Sequence, residues 1–287
     1  MKTKSIKMRS FSAFILLIFL VLVMDVAKAA GLPPELENLQ ISNEFIPSQS
    51  MKIGLVRLIK GSGKLIVVHR PGKEAYHARE GNPVYEKDAL YTLDCRCRIE
   101  MKDKNVVFMA PETHLDVEKV STSFFAGKKE SLFAITRGKA VIYGLRLFGY
   151  RYLKLTLKTP HAIVGVRGTK FGAEIDRPKP QGTVDDMLTR AYVFEGEVDM
   201  TSLVDGKTRG LRENEILEAD QRGLGTVIFD PERTKAFLES IVEGMETQKS
   251  PHVADEKEPD GIKKWGELPE PGIGIGPSPH GMGGRRH

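Results

Sequence analysis

Cysteine, tryptophan and long apolar runs are scarce in this 287-residue chain. Its two cysteines, Cys95 and Cys97, are too few for a disulfide framework, and a structural zinc site usually takes four ligands. One residue apart on an extended strand, they point to the same face, about 6.6 Å apart along the chain. That lies near the upper limit of Cα separation for a disulfide. They are expected to pack inward as small apolar side chains. The alternative is a redox or metal-binding pair, but no histidine stands beside them, His114 being too distant. Aromatic residues make up only 7% of the chain, and the one tryptophan, Trp265, falls near the C-terminus. A polysaccharide platform of stacked exposed rings is therefore the weaker expectation.

Catalytic patterns are missing as well. His69, His77, His114 and His161 are scattered, and none forms the closely spaced pair of a zinc helix. Gly165, Gly168 and Gly172 lack the lysine-serine ending of a phosphate-binding loop, and there is no G-x-S-x-G sequence. The acidic pairs Glu213/Glu215 and Asp185/Asp186 read as solvated loop charges. No catalytic residue, cofactor site or metal site is assigned, and an enzyme is not expected.

There is one apolar run of note, Phe11–Val23. It follows Lys2, Lys4, Lys7 and Arg9 and precedes Ala27-Lys28-Ala29, the order of a secretory leader. The run is short for a spanning helix, which needs about 20 apolar residues. Cleavage after Ala29 is expected, giving a mature N-terminus at Ala30 and a periplasmic or secreted protein. Five of the 43 basic residues and one of the 38 acidic residues lie in residues 1–29, so the net charge falls from +5 to +1 on cleavage. Most of the basic excess belongs to the leader. That and the compartment exclude nucleic acid as a partner. With no second long apolar stretch, the mature chain is expected to have no transmembrane span.

The body from Met51 onward alternates short β-prone runs with Gly, Pro, Asn and Asp punctuation, the texture of an all-β domain. Cys95, Cys97, Ile99 and Met101 alternate with Arg96, Arg98 and Glu100, which predicts a strand with one buried face. Lys102–Asn105 reads as a turn and Val106–Met109 as the next strand. Leu153, Leu155 and Leu157 alternate with Lys154, Thr156 and Lys158, and Thr159-Pro160 ends that strand. Three glycine-centred segments read as hairpins: Val56–Val68 about Gly61-Ser62-Gly63, Phe133–Tyr143 about Gly138, and Tyr192–Met200 about Gly196. The expected fold is mainly β, a hairpin-rich solenoid-like or sandwich-like domain. Asp230-Pro231 is an N-cap followed by proline at the first helical position. Phe237, Leu238, Ile241, Val242 and Met245 then recur at helical spacing, predicting an amphipathic helix over about 231–246. The expected division is a leader at 1–29, a linker at 30–49, a β domain at 50–229, the helix at 230–247 and a disordered tail at 248–287.

One segment stands apart: Thr159-Pro160-His161-Ala162-Ile163-Val164-Gly165-Val166-Arg167-Gly168-Thr169-Lys170-Phe171. Gly168 permits a sharp bend. Arg167 offers five fixed donors suited to capping backbone carbonyls. Thr169 can close a local hydrogen bond. A conformational lock is favoured over a ligand site.

This segment resembles the signature of the FecR periplasmic-domain family: Thr-Pro, an apolar stretch, Val-Arg-Gly-Thr, then an aromatic. Here it stands as Thr159, Pro160, Gly165, Val166, Arg167, Gly168, Thr169 and Phe171. Asp88-Ala89-Leu90-Tyr91-Thr92 is similar to an upstream element of the family. Cys95–Met101 with the following turn and Val106–Leu115 is similar to its central hairpin. Leu132–Val141 and Ala191–Met200 are similar to strands flanking the signature, and the likeness spans residues 50–225. The usual members join a cytoplasmic anti-sigma segment, one spanning helix and a periplasmic domain that senses an outer-membrane transporter. The first two are not expected here. The resemblance therefore implies the extracytoplasmic β domain alone, acting as a sensing, scaffolding or interaction module. An envelope protein is the expected partner, and a cell-wall polymer is the alternative.

Overall fold

The computed structural model of the protein describes residues 32–123, 126–144, 152–166, 168–176 and 187–245. The expected leader with Ala29, as well as Arg167, Asp185/Asp186, Trp265 and the expected tail, lie outside the described residues. The chain divides into Met1–Met245 and Glu246–His287, and every described residue belongs to the first unit.

The strands run, in chain order, β1 Ile41–Ser42, β2 Lys52–Gly61, β3 Leu65–His69, β4 Glu74–Ala78, β5 Pro83–Tyr85, β6 Asp88–Thr92, β7 Cys95–Met101, β8 Val106–Met109 and β9 His114–Ser123. They continue as β10 Lys128–Tyr143, β11 Tyr152–Lys158, β12 Ala162–Val166, β13 Lys170–Ile175, β14 Thr189–Glu195, β15 Glu197–Ser202, β16 Thr208–Arg212, β17 Glu215–Asp220, β18 Gly223–Leu224 and β19 Ile228–Phe229. Among the described residues one helix, α1, spans Pro231–Val242.

Two sheets result. Sheet A has the order β1-β4-β3-β6-β9-β10-β11-β12-β15-β16. Sheet B has the order β5-β2-β7-β8-β10-β13-β14-β17, with β18 and β19 on the far side of β17. Among the described strands only the β1–β4 and β10–β11 pairs are parallel. β10 belongs to both sheets: residues 128–137 pair with β9 in sheet A, and residues 138–143 pair with β8 and β13 in sheet B.

The sheets face each other across one core. Leu65, Val67, Leu90, Leu115, Phe133 and Leu157 come from sheet A; Cys97, Ile99, Met109, Ile142, Phe171 and Val193 come from sheet B. Period-2 alternation puts these side chains inward. β7 shows it in full: all four residues of the Cys95, Cys97, Ile99, Met101 face are buried, as the sequence predicts. Burial of this kind contributes about 25 cal/mol for each Å² of apolar surface.

The three glycine segments are not hairpins. β2 lies in sheet B and β3 in sheet A. β14 lies in sheet B and β15 in sheet A. β10 runs through Gly138 without reversing. Each glycine therefore marks a place where the chain steps from one sheet to the other. The local requirement is the same as in a reversal, since Gly138 has φ +86° and Gly196 has φ +87°. A positive φ signals a sharp turn of the chain, not which partner the next strand takes.

The outer faces are partly covered. Helix α1 lays Phe237, Ile241 and Val242 on Phe108, Val141, Tyr192 and Ile216 of sheet B. Its N-terminus forms as predicted, with the Asp230 side chain accepting from the Arg233 N–H and Pro231 at the first position. It ends four residues short of the predicted end because Gly244 takes φ +69°, the usual helix-terminating conformation. Arg96 donates to the carbonyls of Glu243 at 3.2 Å and Ile241 at 3.5 Å, which places a cation at the helix C-terminus. On sheet A, Leu36, within the stretch expected as a linker, packs on Ile66, Val68, Ala75, Ala89 and Tyr91. β1, in the same stretch, adds to the sheet edge beside β4.

Candidate functional site

The signature segment forms a corner between the two sheets. β11 and β12 make a hairpin in sheet A whose turn is closed by Thr159. Its Oγ1 accepts from Ala162 N at 3.0 Å and donates to Ala162 O at 2.9 Å. Pro160 sits inside this turn, where no ladder donor is needed. β12 then delivers Val166 into the core, paired with Leu155 and Val198. At Gly168, φ +66°, the chain turns toward sheet B. Thr169 follows, buried, and its Oγ1 donates to Glu197 O at 2.9 Å. Its carbonyl accepts from Gly144 N at 2.9 Å. A Cβ on Gly196 would stand 3.0 Å from Thr169 Oγ1, so glycine lets the two corners touch. Phe171 is fully buried between Ile142 and Val193.

Gly165 differs from its neighbours. A Cβ there would meet only Asp199 O, at 3.8 Å, an ordinary contact. Within β13, Gly172 needs glycine for space, since a Cβ there would lie 2.6 Å from the Phe237 ring of α1. Thus Thr159 and Pro160 close the turn that enters β12, while Gly168, Thr169 and Phe171 form the corner that leaves it, held by the Thr169 hydroxyl and close glycines. A cleft of about 330 Å³ opens there, lined by Tyr143, Gly144, Gly168, Thr169, Lys170, Glu195 and Gly196. A larger hollow of about 500 Å³, bounded by Met187, Asp220 and Arg222, involves none of these residues.

Beside the corner lies a buried polar cluster that the sequence reading passes over. Lys102–Asn105 is a turn, as predicted, but it curls inward. Asp103 and Asn105 are each 1% exposed, Ser131 is 1% and Lys129 is 4%. Lys129 Nζ donates to Asn105 Oδ1 at 2.8 Å. Asn105 Nδ2 donates to Asp103 Oδ2 at 2.8 Å and to Ser131 Oγ at 3.2 Å. Asp103 Oδ1 accepts from Asn105 N at 3.1 Å, and Ser131 donates to Asp103 Oδ2. Burial pushes the Lys129 ammonium below the usual lysine value, against the opposing charge of Asp103. One signal was present in the sequence: Lys129 and Ser131 precede Phe133 and Ile135 in the same period-2 register, so they share the inward face.

A second buried pair links β3 to β6. His69 and Asp88 stand opposite each other in the ladder, with Nδ1 2.7 Å from Asp88 Oδ1. His69 Nε2 lies 2.8 Å from Ile46 O, and Asp88 Oδ2 accepts from Tyr85 N at 2.7 Å. Burial alone would lower the histidine pKa; the hydrogen bonds to Asp88 and Ile46 O outweigh it and raise the value. The aspartate, seen in the sequence only as part of a segment, is thus half of a buried, hydrogen-bonded histidine–aspartate pair, and burial pushes its own pKa up against the pull of His69.

Cys95 and Cys97 are buried and unbridged. Burial pushes the Cys95 thiol up to about 11 and the Cys97 thiol well above its ordinary value, so neither offers a thiolate near neutrality. Among the described residues no group of three His, Cys, Asp or Glu side chains could hold a metal ion. Among them, too, no helix is long and apolar enough to cross a membrane.

Residues 88–199 match the family model described as FecR protein. No curated protein matches the sequence. Two crystal structures of a "putative anti-sigma factor" from Parabacteroides distasonis are similar at 18% identity, each with a TM-score of 0.40. They cover 52% and 53% of this chain, which in turn spans 62% and 64% of theirs.

Proposed function

We propose that this protein, carrying a FecR domain over residues 88–199, is an extracytoplasmic sensing or scaffolding module that works by protein contact rather than by chemistry. The secretory leader read at residues 1–29 supports the address, with an envelope protein as partner. The signature segment serves as a lock that fixes how the two sheets meet, in keeping with the hydrogen bonds of Thr169 to Glu197 O and of Thr189 to Thr159 Oγ1.

The observation that carries the contact reading is the free edge of sheet A. Among the described residues β16 pairs only with β15, and four of its five residues are exposed. Ser202 N donates to Lys207 O at 2.9 Å just before the strand. By the antiparallel alternation, Thr208, Gly210 and Arg212 then turn their backbone groups outward. The Arg212 N–H is taken by Glu215 Oε2 at 2.7 Å. Gly210 and Thr208 are left presenting strand-pairing groups to an incoming extended segment. By contrast, the exposed aromatics among the described residues are dispersed along the chain, Phe45 before β2, Tyr152 on β11 and Phe229 on β19. A Gly210→Pro variant tests the reading, since proline removes an outward donor on an edge strand that tolerates it. In-cell crosslinking should recover an envelope partner with the wild type and lose it with the variant at unchanged melting temperature. Equal recovery from both would sink the proposal.

A further inference from the structure

The Asp103–Asn105–Lys129–Ser131 cluster joins the two sheets: Asn105 precedes β8 of sheet B, and Lys129 lies in the sheet-A part of β10. Burying a lysine, a carboxylate and an amide together is costly unless each is paired. Four apolar side chains would fill the space at less cost. The arrangement instead brings together an amine, a carboxamide and a carboxylate, the three groups needed to form a secondary amide.

We propose that Lys129 and Asn105 become joined by an intramolecular isopeptide bond, made by the folded chain itself with Asp103 as proton carrier. Nζ lies 2.8 Å from Asn105 Oδ1. With a C=O length of about 1.23 Å, it is then no more than about 4 Å from the amide carbon. Such proximity replaces an encounter between separate molecules. Asp103 Oδ2 holds the leaving nitrogen, Asn105 Nδ2, at 2.8 Å. Apolar burial favours the neutral, nucleophilic amine.

The step balances without a co-reactant. A proton of the Lys129 ammonium passes to Asp103 by way of the Asn105 side chain, which is hydrogen-bonded to both. The freed Nζ lone pair attacks Asn105 Cγ and forms a C–N bond. Asp103 returns the proton to Nδ2 as the Cγ–Nδ2 bond breaks. Nζ gives up a second proton to the departing nitrogen, which leaves as ammonium. Nothing is oxidised or reduced. A cavity of about 10 Å³ touches Asn105 and Lys129, roughly the size of one small molecule. Its other walls include Gly144, Val166 and Gly168 of the signature corner.

The test is tryptic peptide mapping of the purified full chain after denaturation. The peptide of residues 105–119 should be recovered joined to that of residues 129–137. The joined mass should fall short of the two free peptides' summed mass by about 17 Da, one ammonia. Full recovery of free 105–119, with cleavage after Lys129, would overturn the proposal, and this result needs no variant to fold. An Asp103→Asn variant should yield only the free peptides. If it links as completely as the wild type, the role given to Asp103 is wrong.

Discussion

Tyr76 is fully buried, and among the described residues its hydroxyl meets no hydrogen-bond partner. An unpaired buried hydroxyl carries its desolvation cost without return. Tyr76→Phe is therefore expected to stabilise the protein by about 1 kcal/mol, measured by chemical denaturation. Its neighbour His69, whose ring lies 5.4 Å away, gives a pH dependence. The folded pKa of His69 lies above its ordinary 6.5. Its stabilisation is thus fully present below that value and is lost as pH rises through the folded pKa. Against a His69→Gln/Asp88→Asn double variant, the wild type should lose relative melting temperature as pH rises above the ordinary histidine value of 6.5. A gap independent of pH would show that the pair does not titrate as the geometry demands. Neither feature could be read from the chain beforehand. His69 and Asp88 are 19 residues apart, and only the β3–β6 register makes them neighbours. Cys95 and Cys97 could be read in advance, because alternation within one strand is enough to place them.

The elements themselves were legible where the signal is local. β7, β8 and the start of α1 fall where alternation and capping residues put them. The three glycine segments were misread, because a positive φ is compatible both with reversal inside a sheet and with a step between sheets. Deciding between them takes the partner strand, which lies far off in sequence. The corners make a sharp contrast between two glycines. At Gly138 a Cβ would lie 2.5 Å from Thr113 Oγ1 and 2.7 Å from Glu112 O, on a φ of +86°. Gly138→Ala is expected to cost about 3 kcal/mol. Gly165→Ala, inside the signature yet with open space around it, should change stability by no more than about 0.5 kcal/mol. Denaturant midpoints of the two variants check both; a Gly165→Ala as harmful as Gly138→Ala would mean that the signature glycine has a role beyond packing.

At the level of the whole described unit, each sheet has an outer face too apolar to be left bare, and both are covered by segments that flank the strands. The segment around Leu36 covers sheet A, and α1 covers sheet B. Composition implied a β domain and a helix, but not that residues before β2 belong to the packed body: one buried leucine carries no periodicity to detect. The FecR match begins at residue 88 and ends at 199. It therefore leaves out β1 to β5, β16 to β19 and α1, including both outer covers. Within the matched span lie the signature corner, the Asp103–Lys129 cluster and the whole of β10.

The membership of β10 in both sheets bears on how the molecule breathes. A sandwich of separate sheets can let one layer loosen while the other holds. Here neither layer can detach without breaking a strand of the other. Amide hydrogen exchange should then find residues 130–135 and 139–142 released only in the same global opening. Their apparent opening free energies should be equal to each other and shift together with added denaturant. Markedly faster exchange in one half would mean that the bend at Gly138 acts as a hinge between two cooperative blocks.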